Sequence, residues 1–150
     1  MNISIVEMNQ DHIPSAATLE KICFSMPWSE NSFASAMSAN TRFFAALLDG
    51  KLIAYCGMQV IDSEGFITNI AVHPDYRRQG IGRKVLKHLI SFAQNNNIKS
   101  ISLEVRQSNT AAIKLYESEG FECVGTRKNF YEKPTEDGLI YTKFFKERFR

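Results

Sequence analysis

Apolar and polar positions change period several times along the chain, and each change marks an element. Ile3 and Ile5, with Met8 beyond them, suggest a first strand. Ile13, Ala16, Leu19 and Ile22 or Cys23 form a helical stripe, with Asp11 as a candidate N-cap, Pro14 in the first turn and Pro27 as its end. Ser29 can cap a second helix, and Trp28 before the cap with Phe33 at the fourth helical position forms a hydrophobic staple. Residues 42–48 and 52–61 are strand-like runs separated by Asp49-Gly50-Lys51, a hairpin signal. A turn at Asp62-Ser63-Glu64-Gly65 then leads into the stretch that organises the rest.

In that stretch, residues 66–94, Phe66, Thr68, Ile70 and Val72 alternate with Ile67, Asn69 and Ala71. The bulk on both sides predicts a strand buried on both faces. His73-Pro74-Asp75 ends it. From Ile81, the residues Ile81, Val85, Leu89, Phe92 and Ala93 recur at helical spacing, with Arg83, Lys84, Lys87 and Gln94 facing outward. Asn95-Asn96-Asn97 stops the helix. Ser100 begins a strand with Ile101, Leu103 and Val105 on one face and Glu104 on the other. A carboxylate there is costly unless paired, hydrated or used. Asn109 caps a helix over residues 110–119, and Gly120 stops it. Two more strands follow, over residues 121–128 and 139–145, with a turn at Thr135-Glu136-Asp137-Gly138 between them.

A length of 150 residues sets one domain, residues 1–150, large enough to bury a core without disulfides or metal. A formal charge of +2 does not argue for nucleic-acid binding, so no direct nucleic-acid partner is expected. Cys23, Cys56 and Cys123 are odd in number and far apart, which predicts buried, reduced thiols in a cytoplasmic protein and no metal site. The N-terminal residues do not resemble a signal peptide, and the apolar run at residues 43–48 is too short to span a bilayer. The basic tail with Lys143, Lys146, Arg148 and Arg150 reads as a solvated edge strand more economically than as a ribosome-seeking patch.

Candidate chemistry concentrates in two strand–loop–helix units. In the first, Gly80 and Gly82 allow close approach to the backbone, the helix start offers free N–H groups, and Arg77 and Arg78 stand beside them. Such a loop suits a pyrophosphate. A Walker loop would need a Gly-Lys-Ser/Thr ending that is absent, and a dinucleotide fingerprint would need a third glycine where Val85 stands. An ordinary strand-to-helix turn with solvated arginines remains open. The second unit carries Glu104, Asn109 and Tyr116. Here too simpler readings stand beside the functional ones: Glu104 bonded to Arg106, Tyr116 as a core-edge aromatic, Asn109 as a helix cap, and Trp28 as a staple only.

The run LEVRQSNTAAIKLYESEGF resembles the second signature of the GNAT acetyltransferase superfamily, and NIAVHPDYRRQGIGRKVL resembles its coenzyme A loop, with Arg77, Gly80 and Gly82 in the Arg/Gln-x-x-Gly-x-Gly/Ala pattern. PWSE with Phe33, and YESEGF, are similar to the ribosomal-protein alanine N-acetyltransferases of that superfamily. The resemblance runs from about residue 27 to residue 131. It implies an α/β fold with a mixed, centrally splayed β-sheet flanked by helices, and acetyl-CoA entering the split between the strand of Ile70, Ala71 and Val72 and the strand of Glu104. By the same analogy Ile70 and Val72 hold the pantetheine arm. Arg77, Arg78, Gln79, Gly80, Ile81, Gly82 and Arg83 hold the pyrophosphate, and Asn109 and Tyr116 contact the cofactor. Glu104 acts as base and Tyr116 as acid. Trp28 and Tyr131 border the acceptor, with Arg127 and Lys128 favouring acidic residues after the acetylated one.

The implied activity is an acyltransferase that acetylates the N-terminal alanine of a ribosomal protein, its partners being acetyl-CoA and that N-terminal peptide, in a monomer without a membrane anchor. Acetylation of another amine (a lysine, a free amino acid, a polyamine or a drug) is the alternative among enzymes. A non-catalytic acyl-CoA-binding module is the alternative outside them. The sequence departs from the alanine group in two places. Gln107 stands where proline is common, and Glu136 and Asp137 lie slightly before the point where acidic residues are often found.

Overall fold

A computed structural model describes residues 2–146. Lys143 and Lys146 are among them, whereas Arg148 and Arg150 lie outside the described residues. The elements run β1 (Ile3–Glu7), α1 (Ile13–Cys23), α2 (Glu30–Ser38), β2 (Thr41–Leu48), β3 (Lys51–Ile61), β4 (Glu64–Val72), α3 (Ile81–Asn95), β5 (Ser100–Arg106), α4 (Thr110–Ser118), β6 (Glu122–Tyr131) and β7 (Glu136–Phe144). They build one mixed sheet of order β1-β2-β3-β4-β5-β7-β6. Among the described residues only the central β4–β5 pair is parallel.

Both faces of the sheet are covered, which explains why β2 is apolar at successive positions. Phe44 and Ala46 point into the cluster built on α3, with Val85, Leu86 and Leu89. Phe43 and Ala45 point the other way, into the cluster of α1 and α2 with Leu19 and Phe33. The hairpin expected at Asp49-Gly50 forms with both residues at positive φ, 49° and 85°, as a two-residue connection with the strands' own twist requires.

Strand β4 departs from the sequence expectation. Phe66 and Thr68 are exposed, and Ile70 and Val72 are only half-buried. Opposite β3, Gly57 pairs with Asn69 and Met58 with Ile67, so Thr68 is one residue too many. It is a β-bulge, which bends the strand. On its other side β4 pairs with β5 from Glu64↔Ser100 to Phe66↔Ser102. Past that point the parallel neighbours part and leave an open wedge. Gly57 is required by the bulge: a Cβ there would lie 2.5 Å from the Phe43 ring and 2.7 Å from Thr68 Oγ1.

Four smaller expectations are corrected. Asp11 is no cap. Asn9 forms a capping box with His12, its side chain accepting from the Asp11 N–H at 2.8 Å while His12 Nδ1 accepts from the Asn9 N–H at 2.9 Å. Helix α1 ends at Cys23 rather than at Pro27, because Phe24 turns extended (φ −132°, ψ 147°). Strand β7 is not an edge, since it inserts between β5 and β6 and leaves β6 outermost. The thiols are not all buried: Cys123 on the outermost β6 is exposed, Cys23 at the end of α1 is half-buried, and Cys56 is buried.

Candidate active site

The wedge between β4 and β5 opens into a cleft of about 670 Å³. It brings together six of the residues singled out from sequence: Trp28, Ile70, Glu104, Asn109, Tyr116 and Tyr131. Ala71 does not face it; its side chain is buried in the α1–α2 cluster. The glycine loop lies outside this cleft, on the turn from β4 to α3.

That turn leaves a run of backbone N–H groups without backbone acceptors among the described residues. Arg77 N–H donates to Pro74 O and Lys84 N–H to Gly80 O. Between them the N–H groups of residues 78–83 have no backbone acceptor among the described residues. Arg78 and Gly80 both take left-handed φ, 63° and 77°, a conformation that only glycine adopts without strain. The region around a Gly80 Cβ is empty, so backbone conformation rather than crowding demands glycine there. Free N–H groups at the positive end of a helix form a ready pyrophosphate site.

Several side chains around the turn are engaged within the protein. Arg77 Nε donates to Val72 O at 3.0 Å, and its Nη2 lies 3.6 Å from Cys23 Sγ. Arg83 bonds Ser118 Oγ and pairs with Glu119, which also holds Lys87 at 3.2 Å. Ile81 is buried in the core. Arg78 and Gln79, on the turn itself, have no such side-chain contact among the described residues.

On β5 the structure separates Glu104 from Arg106. Glu104 Oε1 has Arg127 Nε at 3.4 Å, and its Oε2 is buried with no hydrogen-bond partner among the described residues. Arg106 turns instead to Glu136. A buried carboxylate oxygen left without a donor is costly in a folded protein, and Glu104 is one of the residues lining the cleft. Asn109 caps α4, its side chain accepting from Ala112 N–H at 3.2 Å. Tyr116, on α4, is buried against Phe121 yet reaches the cleft. Burial pushes its phenol well above the ordinary range, with Cys56 and Tyr131 adding to the shift. Tyr131, half-buried, is raised first by burial and then by the negative charge of Glu104.

Trp28 is both staple and lining. Its ring meets Phe33 at 5.4 Å and Phe43 at 6.1 Å, edge-on, and its remaining surface borders the cleft. Arg127 Nε lies 3.4 Å from Glu104 Oε1 and its guanidinium 5.4 Å from the Phe130 ring centroid, while its side chain stays 57% exposed.

Sequence reasoning missed Glu20, which is 2% exposed. Its Oε1 accepts the Trp28 N–H at 2.8 Å, and its Oε2 accepts the Tyr55 hydroxyl and, at 3.3 Å, Asn69 Nδ2. Asn69 Oδ1 in turn accepts from Thr68 Oγ1 at 2.7 Å. One carboxylate therefore joins the Trp28 turn to the β4 bulge. A charge four residues after Ala16 on an apolar stripe was the available signal.

The arrangement fits acetyl-CoA: a wedge for an extended arm, a row of free N–H groups for a pyrophosphate, and an orphaned carboxylate oxygen beside a buried phenol. The acetyltransferase (GNAT) family pattern matches residues 13–121. The chain is 42% identical to the [ribosomal protein bS18]-alanine N-acetyltransferase of Escherichia coli K12 over 90% of both chains. It is 34% identical to the N-alpha-acetyltransferase RimI of Mycobacterium tuberculosis, over 70% of this chain and 68% of that protein. The crystal structure of the ribosomal-protein-S18-alanine N-acetyltransferase from Escherichia coli superimposes with a TM-score of 0.91 at 36% identity, covering 99% of each chain. The chain belongs to the GNAT family of acetyltransferases.

Proposed function

We propose that the protein transfers the acetyl group of acetyl-CoA to the α-amine of an N-terminal alanine on a ribosomal protein, and that it does so in the cytoplasm. The carrying observation is the orphaned Oε2 of Glu104 in the same cleft as Tyr116. The choice of acceptor is supported by the relatives above, whose names specify ribosomal protein bS18 and alanine.

Acetyl-CoA supplies the activated acyl carbon and a thiolate leaving group. Residues 78–83 would hold its pyrophosphate through backbone N–H groups, Ile70 and Val72 its pantetheine arm, and Asn109 its thioester end. An attacking amine must first be neutral. An α-amine, with a pKa of about 8 against about 10.4 for lysine, costs roughly 3 kcal/mol less to deprotonate at neutral pH. Glu104, directly or through one water, can take that proton. The Tyr116 phenol stays neutral in its buried position. Full proton loss there is costly, so it serves the departing sulfur first as a hydrogen-bond donor. Trp28 and Tyr131 flank the path of the acceptor.

The test compares a peptide bearing a free N-terminal alanine with the same peptide blocked at its N-terminus and carrying lysine. Thiol release with the first and almost none with the second supports the reading. Comparable rates would favour a lysine acceptor, and acetyl-CoA binding without turnover on any amine would favour a non-catalytic binder.

A further inference from the structure

The outer wall of the cleft is held in an unusual way. Phe130 and Tyr131 from the end of β6, and Glu132, Lys133 and Pro134 from the connection to β7, line it. Strand pairing supports this wall poorly. The β6–β7 register is interrupted between Arg127 and Tyr131, and past the break Tyr131↔Glu136 is the pair that remains.

Arg106 supplies what the ladder lacks. It stands two residues after Glu104, and so on the same face of β5. Its Nη1 donates to Pro134 O at 2.8 Å and to Glu136 Oε1 at 3.1 Å, and its Nη2 donates to Glu132 O at 2.8 Å. Its guanidinium lies 4.6 Å from the Tyr131 ring centroid. Glu136 continues the chain of contacts, its Oε2 accepting the Ser108 N–H at 2.7 Å, just before the Asn109 cap of α4. One ion pair thus ties the end of β5, the wall and the start of α4. A planar fork with several donors in fixed directions is needed for this, and lysine cannot reproduce it.

We propose that Arg106, acting through Glu136, is a positioning residue that sets the distance between the wall at residues 131–134 and Glu104, and so governs affinity for the acceptor. The inference rests on the acetyl-transfer reading of the cleft. The residues of the β4–α3 turn do not line the cleft that Arg106 lines. The Ser108 bond can be kept by a glutamine oxygen, so the cofactor side is separable from the wall.

The experiment uses Arg106→Gln, Arg106→Lys, Glu136→Gln and the Arg106→Gln/Glu136→Gln double variant. KM for the alanine peptide should rise about tenfold in the Arg106 variants and by less in Glu136→Gln, which leaves the Arg106 bonds to Pro134 O and Glu132 O in place. Acetyl-CoA affinity by calorimetry should stay within twofold, and lysine should give no rescue. The double variant should be no worse than Arg106→Gln alone, because Arg106→Gln already removes the one Arg106 contact that Glu136→Gln weakens. Amide exchange at residues 131–136 should accelerate in every variant without any acceptor present. Unchanged exchange there, or acetyl-CoA affinity falling as far as peptide affinity, would overturn the inference. If wild-type protein ignores the peptide, the acceptor reading fails by itself, and the exchange measurement still decides whether Arg106 holds the wall.

Discussion

Glu104→Met should make the protein more stable and nearly inactive, and the two effects have separate causes. Glu104 Oε2 is buried with no hydrogen-bond partner among the described residues, and an unsatisfied buried polar atom costs about 1–3 kcal/mol. Its Oε1 has Arg127 Nε at 3.4 Å, with the Arg127 side chain 57% exposed. An ion pair that open to water contributes about 0–1 kcal/mol. Methionine has similar length and no polar oxygen, so the balance is a gain of roughly 0–3 kcal/mol. For a domain of this size each kcal/mol moves Tm by about 2–4 °C, so Tm should hold or rise by several degrees.

Turnover should fall by about 10²–10⁴, the usual contribution of a positioned acid or base. Scanning calorimetry and thiol release at saturating acetyl-CoA measure the two quantities on one preparation. A carboxylate kept only for structure predicts the reverse. A Tm drop of more than about 3 °C with turnover retained would refute the catalytic assignment.

Tyr116→Phe should lower kcat by about 10²–10⁴ with acetyl-CoA affinity within about twofold. Because burial raises the phenol, it stays protonated through the working range, so any loss of rate on the alkaline side of the wild-type pH profile should persist at the same pH in the variant's residual activity. Gly82→Val should weaken acetyl-CoA by about tenfold or more in titration calorimetry. A Cβ there already lies 3.4 Å from Val72 Cγ2, so the added methyls crowd the neck between β4 and α4. Gly57→Ala should cost about 1–3 kcal/mol, read as a lower Tm, because the Phe43 ring it strikes is itself buried. Hydrogen bonding from Ser108, stronger than the opposing desolvation, and then Arg106 hold the Glu136 carboxyl below its reference of 4.5. Its contribution is therefore present above that value and lost as pH falls through the lower folded one. The Tm gap between wild type and Glu136→Gln should close in acid and stay constant from mildly acidic to neutral pH.

Period and punctuation made most of the elements legible. The Asp49-Gly50 hairpin, the Ser29 cap with its Trp28–Phe33 staple, the α3 stripe and the Asn109 cap all depend on residues within a few positions of one another. What stayed hidden depends on partners far along the chain. Periodicity called β4 buried on both faces, and the Thr68 bulge, seated against Gly57 on the neighbouring strand, made it half-open instead. A glycine inside an apolar strand was the one local hint of that close approach. The insertion of β7 between β5 and β6 is likewise a pairing choice that no single strand encodes.

The same distinction runs through the site. Glu104, Asn109 and Tyr116 could be found because they occupy one strand–loop–helix unit whose spacing is fixed by its own backbone. Glu20, Arg106 and Glu136 could not, because each draws its meaning from segments that meet only after folding: Glu20 from Trp28, Tyr55 and Asn69, and Arg106 from residues 132–136. The two sets also differ in what they touch. In the first, Glu104 lines the cleft with an Oε2 that has no hydrogen-bond partner among the described residues. The second spends its hydrogen bonds on the walls. A group whose partners are all protein is held in place by them, whereas a buried group without one keeps hydrogen-bonding capacity to offer a substrate. On that criterion Glu104 is the residue whose loss should change chemistry, and Arg106 and Glu20 are those whose loss should first change where the acceptor sits.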